Sequence, residues 1–306
     1  MSSFDDDRRA RAALTRVIEP DHAMRSAYLT MPPVELLNRI RSAGFEVEEW
    51  AARAVGVDPV RDLEVAARDG VRFVIPGDDE WPVGVESLRG LKDVSGQDLP
   101  GVPFGLWVRG GGSLRRGVAR SVAVVGARAC SSYGEYVASE FASGLAEMGW
   151  STVSGGAYGI DAAAHMGTLA AGGTTVAVLA CGADMSYPRR NEGLFDRIAE
   201  HGLIVSELPP GSAPTRRRFL MRNRLIAALA GGVVLVEAAE RSGALITGKW
   251  ASLCSRVLMA VPGPVTSRMS TGCHGVIRSG GVLVQGVRDV LDAVEDQQAG
   301  PAGVHS

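Results

Sequence analysis

From residue 121 onward the chain repeats one device: a short run that is apolar throughout, a glycine-bearing turn, then a helical pattern. The apolar runs are SVAVVG (121–126), STVSGG (151–156), TTVAVLACG (174–182), LIVSE (203–207), GVVLVEA (232–238), RVLMAVPG (256–263) and GVLVQG (281–286). Helical patterns cover 133–148, 159–171, 191–201, 219–230, 244–254 and 287–294, with a further short helix ahead of the last strand. Strands without polar alternation are buried on both faces, and strands alternating with helices build a parallel sheet covered on each side. The expectation for 121–294 is therefore an α/β, doubly wound, mostly parallel sheet.

The flanks read differently. Residues 1–70 carry helical spacing in RAALTRVIE, PPVELLNRIRSAGF and WAARAVG, with prolines at a helix start and glycines at helix ends. Residues 71–120 hold two short strand candidates, VRFVI and FGLWVRG, and a Gly-rich stretch, GGGSLRRG, that reads as a loop or linker. Residues 295–306 form a polar tail, and no internal repeat is present. No apolar run approaches the ~18 residues that span a bilayer. The N-terminus has three consecutive acids followed by basic residues, not a secretory signal, so the cytoplasm is the default compartment. Cys130, Cys181, Cys254 and Cys273 form no CxxC pair and read as reduced residues, neither a disulfide framework nor a zinc site.

Net charge is −2, which favours no partner class, but its distribution is uneven. Residues 216–278 hold ten basic residues against Glu237 and Glu240 alone, a local surplus of +8 that suits an anion site. Four strand–glycine–helix junctions stand at the strand ends: VVGARACSSYG (124–134), VSGGAYGIDAAAH (153–165), LACGADMSYP (179–188) and VVLVEAAERSGALITG (233–248). In a doubly wound sheet such loops line one crevice, where bare amides at helix starts favour phosphate. The candidate set is Gly126, Arg128, Gly155, Gly156, Ser242 and Gly243 from the junctions, with Arg216, Arg218, Phe219, Arg222, Asn223 and Arg224 from the segment after the fourth parallel strand. Several phosphates held in a row suit a polynucleotide better than one nucleotide.

Structural readings stand beside these. Gly126 is either a tight-turn glycine or a phosphate-approach glycine. Arg216–Arg218 is either a solvated loop or part of the anion site. Phe219 is either core or a platform on which a base stacks. Asp161 either caps the helix that follows, the preferred reading, or orders the glycine loop; His165 reads as structural, and Cys273 beside His274 is no metal site. GGAYGID is not the dinucleotide fingerprint, and no Walker lysine, G-x-S-x-G or HExxH motif is present. Ser131 and Ser132 lack an adjacent base. Glu207 and Asp184 at strand ends are lone carboxylates. No catalytic residue, metal or cofactor is assigned.

The ordered motifs VVGARACSSYG, SGGAYGIDAAAH, YPRRNEGLFDRIAEHGLIVSELPPG, RRFLMRNRLIAALA, VVLVEAAERSGALIT and VPGPVTSRMSTGCHGVIRSGG resemble the DNA-processing protein A (DprA/Smf) family over roughly residues 70–290. The resemblance implies an extended Rossmann-like core and a small N-terminal domain of sterile-alpha-motif (SAM-like) type at 1–70. It implies a single-stranded DNA-binding homodimer, without catalytic turnover, that protects DNA and loads the RecA recombinase in natural transformation and homologous recombination. By motif, Arg128 would hold a phosphate, and Gly155 and Gly156 would offer backbone amides. Arg216 precedes the aromatic, Phe219 would stack on a base, and Arg222 and Asn223 belong to the pocket-lining RNR helix. Three positions depart from the family pattern: Ala127 for Ser, Leu220 for Pro and His274 for Asn. The winged-helix domain often found at the family's C-terminus is not expected here. The alternative class is a nucleotide-binding or nucleotide-cleaving enzyme of the related LOG-like Rossmann group. EAAERSGALITG lacks that group's PGGxGTxxE pattern, and neither Glu237 nor Glu240 has the spacing of its catalytic glutamate.

Overall fold

The computed structural model describes residues 3–22 and 24–299. Five helices come first: α1 (Ser3–Val17), α2 (Arg25–Tyr28), α3 (Pro33–Arg41), α4 (Glu48–Ala54) and α5 (Pro59–Arg68). They close around Leu14, Leu36, Ile40, Phe45 and Trp50, with Phe104 from the following segment in the same cluster. Pro33 and Pro59 sit in helix first turns, where the missing amide costs nothing.

Nine strands form one sheet: β1 (Val71–Val74), β2 (Leu106–Arg109), β3 (Ser121–Val125), β4 (Ser151–Ser154), β5 (Thr175–Val178), β6 (Leu203–Ser206), β7 (Gly232–Leu235), β8 (Val257–Ala260) and β9 (Val282–Leu283). Their order is β1-β2-β6-β5-β4-β3-β7-β8-β9. From β6 to β9 every pairing is parallel, while β1 and β2 add antiparallel strands at the β6 edge. The run β5-β4-β3-β7-β8-β9 has the 3-2-1-4-5-6 order of a Rossmann sheet, extended on one side. The fold is α/β with a mostly parallel, doubly wound sheet.

Alternate residues of each strand go to opposite faces, as the pleat dictates. Ala123, Val125, Val233 and Leu235 face one core with Leu225 and Ile226 of α10 (Arg216–Leu229) and Trp250 of α11 (Ala244–Leu253). Val122, Val124, Val234 and Val236 face the other, with Phe141 of α7 (Ser132–Glu147), Ile160 of α8 (Ile160–Ala170) and Val290 of α13 (Val287–Ala299). On that second face, nearer the antiparallel edge, Trp107 and Ile204 pack on Phe195 and Ile198 of α9 (Glu192–His201).

Three boundaries differ from the sequence reading. The linker GGGSLRRG contains a helix, α6 (Leu114–Ala119), because Leu114 and Val118, four residues apart, bury one face in the core. Helix α10 starts at Arg216, not 219: Thr215 caps it, its hydroxyl accepting the Arg218 amide at 3.2 Å. Residue 220 is leucine, so it also keeps the amide that a proline would remove from these turns. The first five residues of the expected tail continue α13 to Ala299, and the Gln297 side-chain amide donates to the Ser255 carbonyl at 3.1 Å. The rest of that tail, 300–306, lies outside the described residues. The short helix before β9 is α12 (Thr271–Arg278). No helix among the described residues is long and apolar enough to cross a membrane.

Candidate nucleic-acid interface

Chain connections run one way from β3 through β6 and the other way from β7 through β9, so the switch in direction falls between β3 and β7. Crevices open at this point in doubly wound sheets. A cavity of about 210 Å³ lies there, walled by Gly126 and Arg128 after β3, Ala157 and Asp161 around the start of α8, Phe219, Arg222, Asn223 and Ile226 of α10, and Ser242, Gly243 and Thr247 after β7.

Gly126 serves a tight turn and the cavity wall at once. A Cβ there would stand 2.6 Å from Ile160 Cγ1 and 2.8 Å from the Glu237 carbonyl. The Ala127 amide donates to that carbonyl at 2.8 Å, which needs no hydroxyl at position 127. Arg128 leaves the turn exposed, with its guanidinium 4.9 Å from the centroid of the Phe219 ring. The Arg222 guanidinium is 5.8 Å from the same centroid, and the Tyr187 ring 5.6 Å away at 54°. Phe219 is half-buried and belongs to none of the core clusters. Its ring stands at the cavity rim with two guanidinium groups within about 6 Å of its centroid.

Helical periodicity sorts the arginines of α10. Phe219, Arg222, Asn223 and Ile226 fall at i, i+3, i+4 and i+7 and line the cavity together. Arg222 is buried: its Nη1 donates to the Gly155 carbonyl at 2.6 Å and to the Val178 carbonyl, and its Nε to Asn223 Oδ1 at 3.3 Å. Asn223 Nδ2 reaches the Gly243 carbonyl at 3.4 Å. Asp161 accepts the Gly155 and Ala157 amides at 3.2 and 3.3 Å and so orders the glycine loop, whereas the helix-capping role preferred for it is not seen: Gly159 is the cap residue of α8, with no side-chain cap hydrogen bond. Burial pushes the Asp161 carboxyl above the usual carboxylate range, against the pull of Arg222. Burial lowers the Arg222 guanidinium, helped by the positive charge of Arg128. Ser242 Oγ accepts the Ala244 amide at 3.3 Å, and Gly243 is exposed at the start of α11.

The expected set does not converge as a whole. Gly155 and Gly156 are buried beneath the cavity, and close protein contacts explain them: a Cβ on Gly155 would strike the Arg222 guanidinium, and one on Gly156, at φ +68°, would meet the Phe195 ring at 2.5 Å. The Gly155 amide, expected to await a ligand, is bound to Asp161. Arg224 is sealed in the interior, where its Nη2 donates to both Glu207 oxygens at 2.6 Å, with Arg25 at 3.2 Å from the same carboxylate. Arg218 donates to Glu19 at 2.6 and 3.1 Å, and Arg217 to Asp21 at 2.6 Å. Arg216 is exposed, with no ion pair among the described residues. The group brought to one cavity is thus Gly126, Arg128, Phe219, Arg222, Asn223, Ser242 and Gly243.

The groups weighed for catalysis are held in place. Glu237 accepts the Ser131 hydroxyl at 2.6 Å and the Ser131 amide at 2.8 Å, fixing the start of α7. Glu240 is exposed and lines a different groove, beside α11 and α12. Asp184 accepts the Gly211 amide at 2.9 Å. His165 is buried, with Nδ1 2.7 Å from Thr175 Oγ1. His274 Nε2 lies 3.0 Å from the Gly263 carbonyl. Among the described residues no three His, Cys, Asp or Glu side chains gather as for a metal. Tyr187 and Thr247 are the residues sequence reasoning missed. Tyr187 stood inside a recognised motif with nothing to mark its ring as a neighbour of Phe219, while Thr247 looked like an ordinary helix residue. What the site offers is cationic fork donors around an aromatic face, a chemistry of binding.

The model of the DNA recombination-mediator protein A family matches residues 72–295. A DNA processing protein DprA of Mycobacterium tuberculosis is 45% identical over 295 residues, covering 95% of this chain and 76% of the relative. The structure of DNA processing protein A from Streptococcus pneumoniae superposes with a TM-score of 0.73 at 30% identity, covering 94% of this chain and 96% of that one. DNA processing protein A of Helicobacter pylori, whose structure describes a single-stranded DNA binding mode, superposes with a TM-score of 0.61 at 25% identity over 74% of this chain and 97% of that one.

Proposed function

The chain belongs to the DNA recombination-mediator protein A (DprA/Smf) family, and on that premise we propose that it binds single-stranded DNA at the β3–β7 crevice. The observation that carries this reading is the Phe219 ring, half-buried at the cavity rim with Arg128 and Arg222 against it. Arg128 takes a backbone phosphate through its guanidinium fork, and Phe219 presents a face on which any base can stack. Arg222 anchors the floor and adds positive potential, and Arg216 stands free at the helix start to meet a neighbouring phosphate. The Helicobacter pylori relative's single-stranded DNA binding supports the same ligand class.

The fuller role we propose is the one the resemblance to the family implies. The protein protects single-stranded DNA and loads the RecA recombinase onto it, in natural transformation or homologous recombination. It works in the cytoplasm as a homodimer, without chemical turnover. Both oxygens of Glu237 are committed to Ser131, which speaks against a nucleotide-cleaving enzyme built on that glutamate.

Fluorescent oligo-dT titrated at two lengths across a salt series tests the binding. Affinity should fall steadily with salt, with a slope of about −0.7 per phosphate contacted. Arg128→Ala should weaken binding at least about tenfold with the melting temperature unchanged, since this exposed side chain carries no part of the core. Tight binding of a mononucleotide with indifference to oligomers would replace this reading with the enzymatic one.

A further inference from the structure

The loop after α1 brings Glu19, Pro20 and Asp21 against the first turns of α10. Arg218 Nη2 donates to Glu19 Oε1 at 2.6 Å and Nε to Glu19 Oε2 at 3.1 Å, while Arg217 Nε donates to Asp21 Oδ2 at 2.6 Å. Pro20, Arg218, Met221, Arg222 and Leu225 share a second, very small cavity, so Arg222 is a wall common to this contact and to the Phe219 cavity. Glu19 also faces Arg53 at 3.5 Å. Burial alone would raise the Glu19 carboxyl, yet Arg218, Arg53 and Arg217 together hold it below the usual carboxylate range.

A guanidinium fork accepts carboxylate and phosphate oxygens with the same geometry. Two protein carboxylates therefore occupy the arginines that flank the Phe219 cavity. We propose that the Glu19–Asp21 loop is a built-in counter-anion that keeps the α10 arginine rim closed to anions, and that a chain of nucleic-acid phosphates displaces it to reach Arg217 and Arg218. This rests on the single-stranded DNA reading given above and deepens it.

The outer pair suits exchange; the inner one, Arg218–Glu19, is a two-point fork only 20% and 26% exposed, with Arg218 Nη1 also donating to the Ala213 carbonyl at 2.7 Å, and it yields second. The Arg217 side chain is 76% exposed and reaches Asp21 through one nitrogen only. Exposed ion pairs of this kind shift an equilibrium by roughly fivefold or less. A single phosphate that displaces one carboxylate gains little, whereas a strand already held at Arg128 delivers its next phosphates at high local concentration. The loop thus biases the rim toward polymers over mononucleotides. Each phosphate bound there frees a carboxylate that must collect its own cation, so the free protein's salt dependence is shallower than its count of contacted arginines implies.

The test compares the full chain with Glu19→Gln/Asp21→Asn and with a control of equal charge change, Glu147→Gln/Asp292→Asn, whose residues are exposed on α7 and α13. Fluorescent oligo-dT is titrated at low and moderate salt, and melting is followed in parallel. The loop variant should bind about threefold to tenfold tighter than the control at low salt, with a salt slope steeper by roughly 0.7 per freed arginine. Its melting temperature should fall slightly, so that affinity and stability move in opposite directions. Equal affinity in loop variant and control, with the wild type binding normally, overturns the counter-anion and leaves the DNA reading standing. Weaker binding together with lower melting assigns the loop a purely structural role and overturns it as well. No binding by any of the three proteins removes the DNA reading, and the inference with it.

Discussion

Four neighbouring arginines of α10 meet three different fates. Arg217 and Arg218 pair with acids nearly two hundred positions away, Arg222 anchors to backbone carbonyls, and Arg224 is sealed against Glu207. The sequence showed the cluster and its surplus charge but not this sorting, because the sorting partners Glu19, Asp21 and Arg25 come from the far end of the chain. Phe219 fits both core and platform as an aromatic at the start of an apolar helical pattern, and its half-buried place near Arg128 and Arg222, outside the core clusters, favours the platform that the following variant tests. Phe219→Ala should therefore cost about 1–3 kcal/mol on oligo-dT and much less on an abasic strand of equal length. Equal losses on the two strands would assign the ring to packing. Arg224→Met should behave in the opposite sense. Removing one partner of a buried carboxylate typically costs about 3–5 kcal/mol, here reduced because Arg25 remains at 3.2 Å from Glu207. Denaturant unfolding should register that loss, while the affinity of the folded fraction for DNA stays as it was.

At the scale of elements, the strands and their helices were legible because each signal is local. Seven runs that are apolar on both faces mark seven parallel strands, and the 3.6-residue period marks the helices between them. Where the signal is not local, the reading slipped. Helix α6 hides in a glycine-rich stretch because its six residues bear only two apolar side chains to anchor it. The first turn of α10 has no apolar period, so RRR joined the preceding PPGSAPT loop until the Thr215 cap showed otherwise. Thr215→Ala should cost about 0.5–2 kcal/mol of stability. It should also loosen the turn that carries Arg216–Arg218, so amide hydrogen exchange should rise first at Arg218 and its neighbours. Unchanged protection there would mean that the ion pairs, and not the cap, hold the turn.

For the whole molecule, the sheet's extension past β6 by two antiparallel strands was not visible in the chain, since strand order is set by long-range pairing rather than by any segment's pattern. The buried His165 gives the folded state a pH signature. Burial pushes its imidazole down to about 3, whereas the unfolded chain titrates near the ordinary 6.5. The unfolded state thus takes up a proton that the folded state refuses. Stability is full above about pH 6.5 and is lost progressively as the pH falls toward 3. Carboxylates with lowered values, such as Glu19 and Glu80, lose their contribution only below about 4.5, while Asp161, raised by burial, shifts stability in the opposite sense to His165 as it takes up its proton, so the His165 share is the part of the slope that its replacement removes. His165→Asn, less stable at pH 8, should flatten chemical-denaturation midpoints across the window from pH 6.5 to 5. The same midpoint slope across that window in wild type and His165→Asn would contradict the buried neutral imidazole.

The Arg25–Glu207–Arg224 cluster joins a helix of the N-terminal group, the end of β6 and the arginine helix in the buried interior. Taking the front helices off the sheet would remove the Arg25 charge from Glu207 and leave that carboxylate to Arg224 alone. The cluster therefore ties the N-terminal helices to the sheet and to α10 through one shared carboxylate.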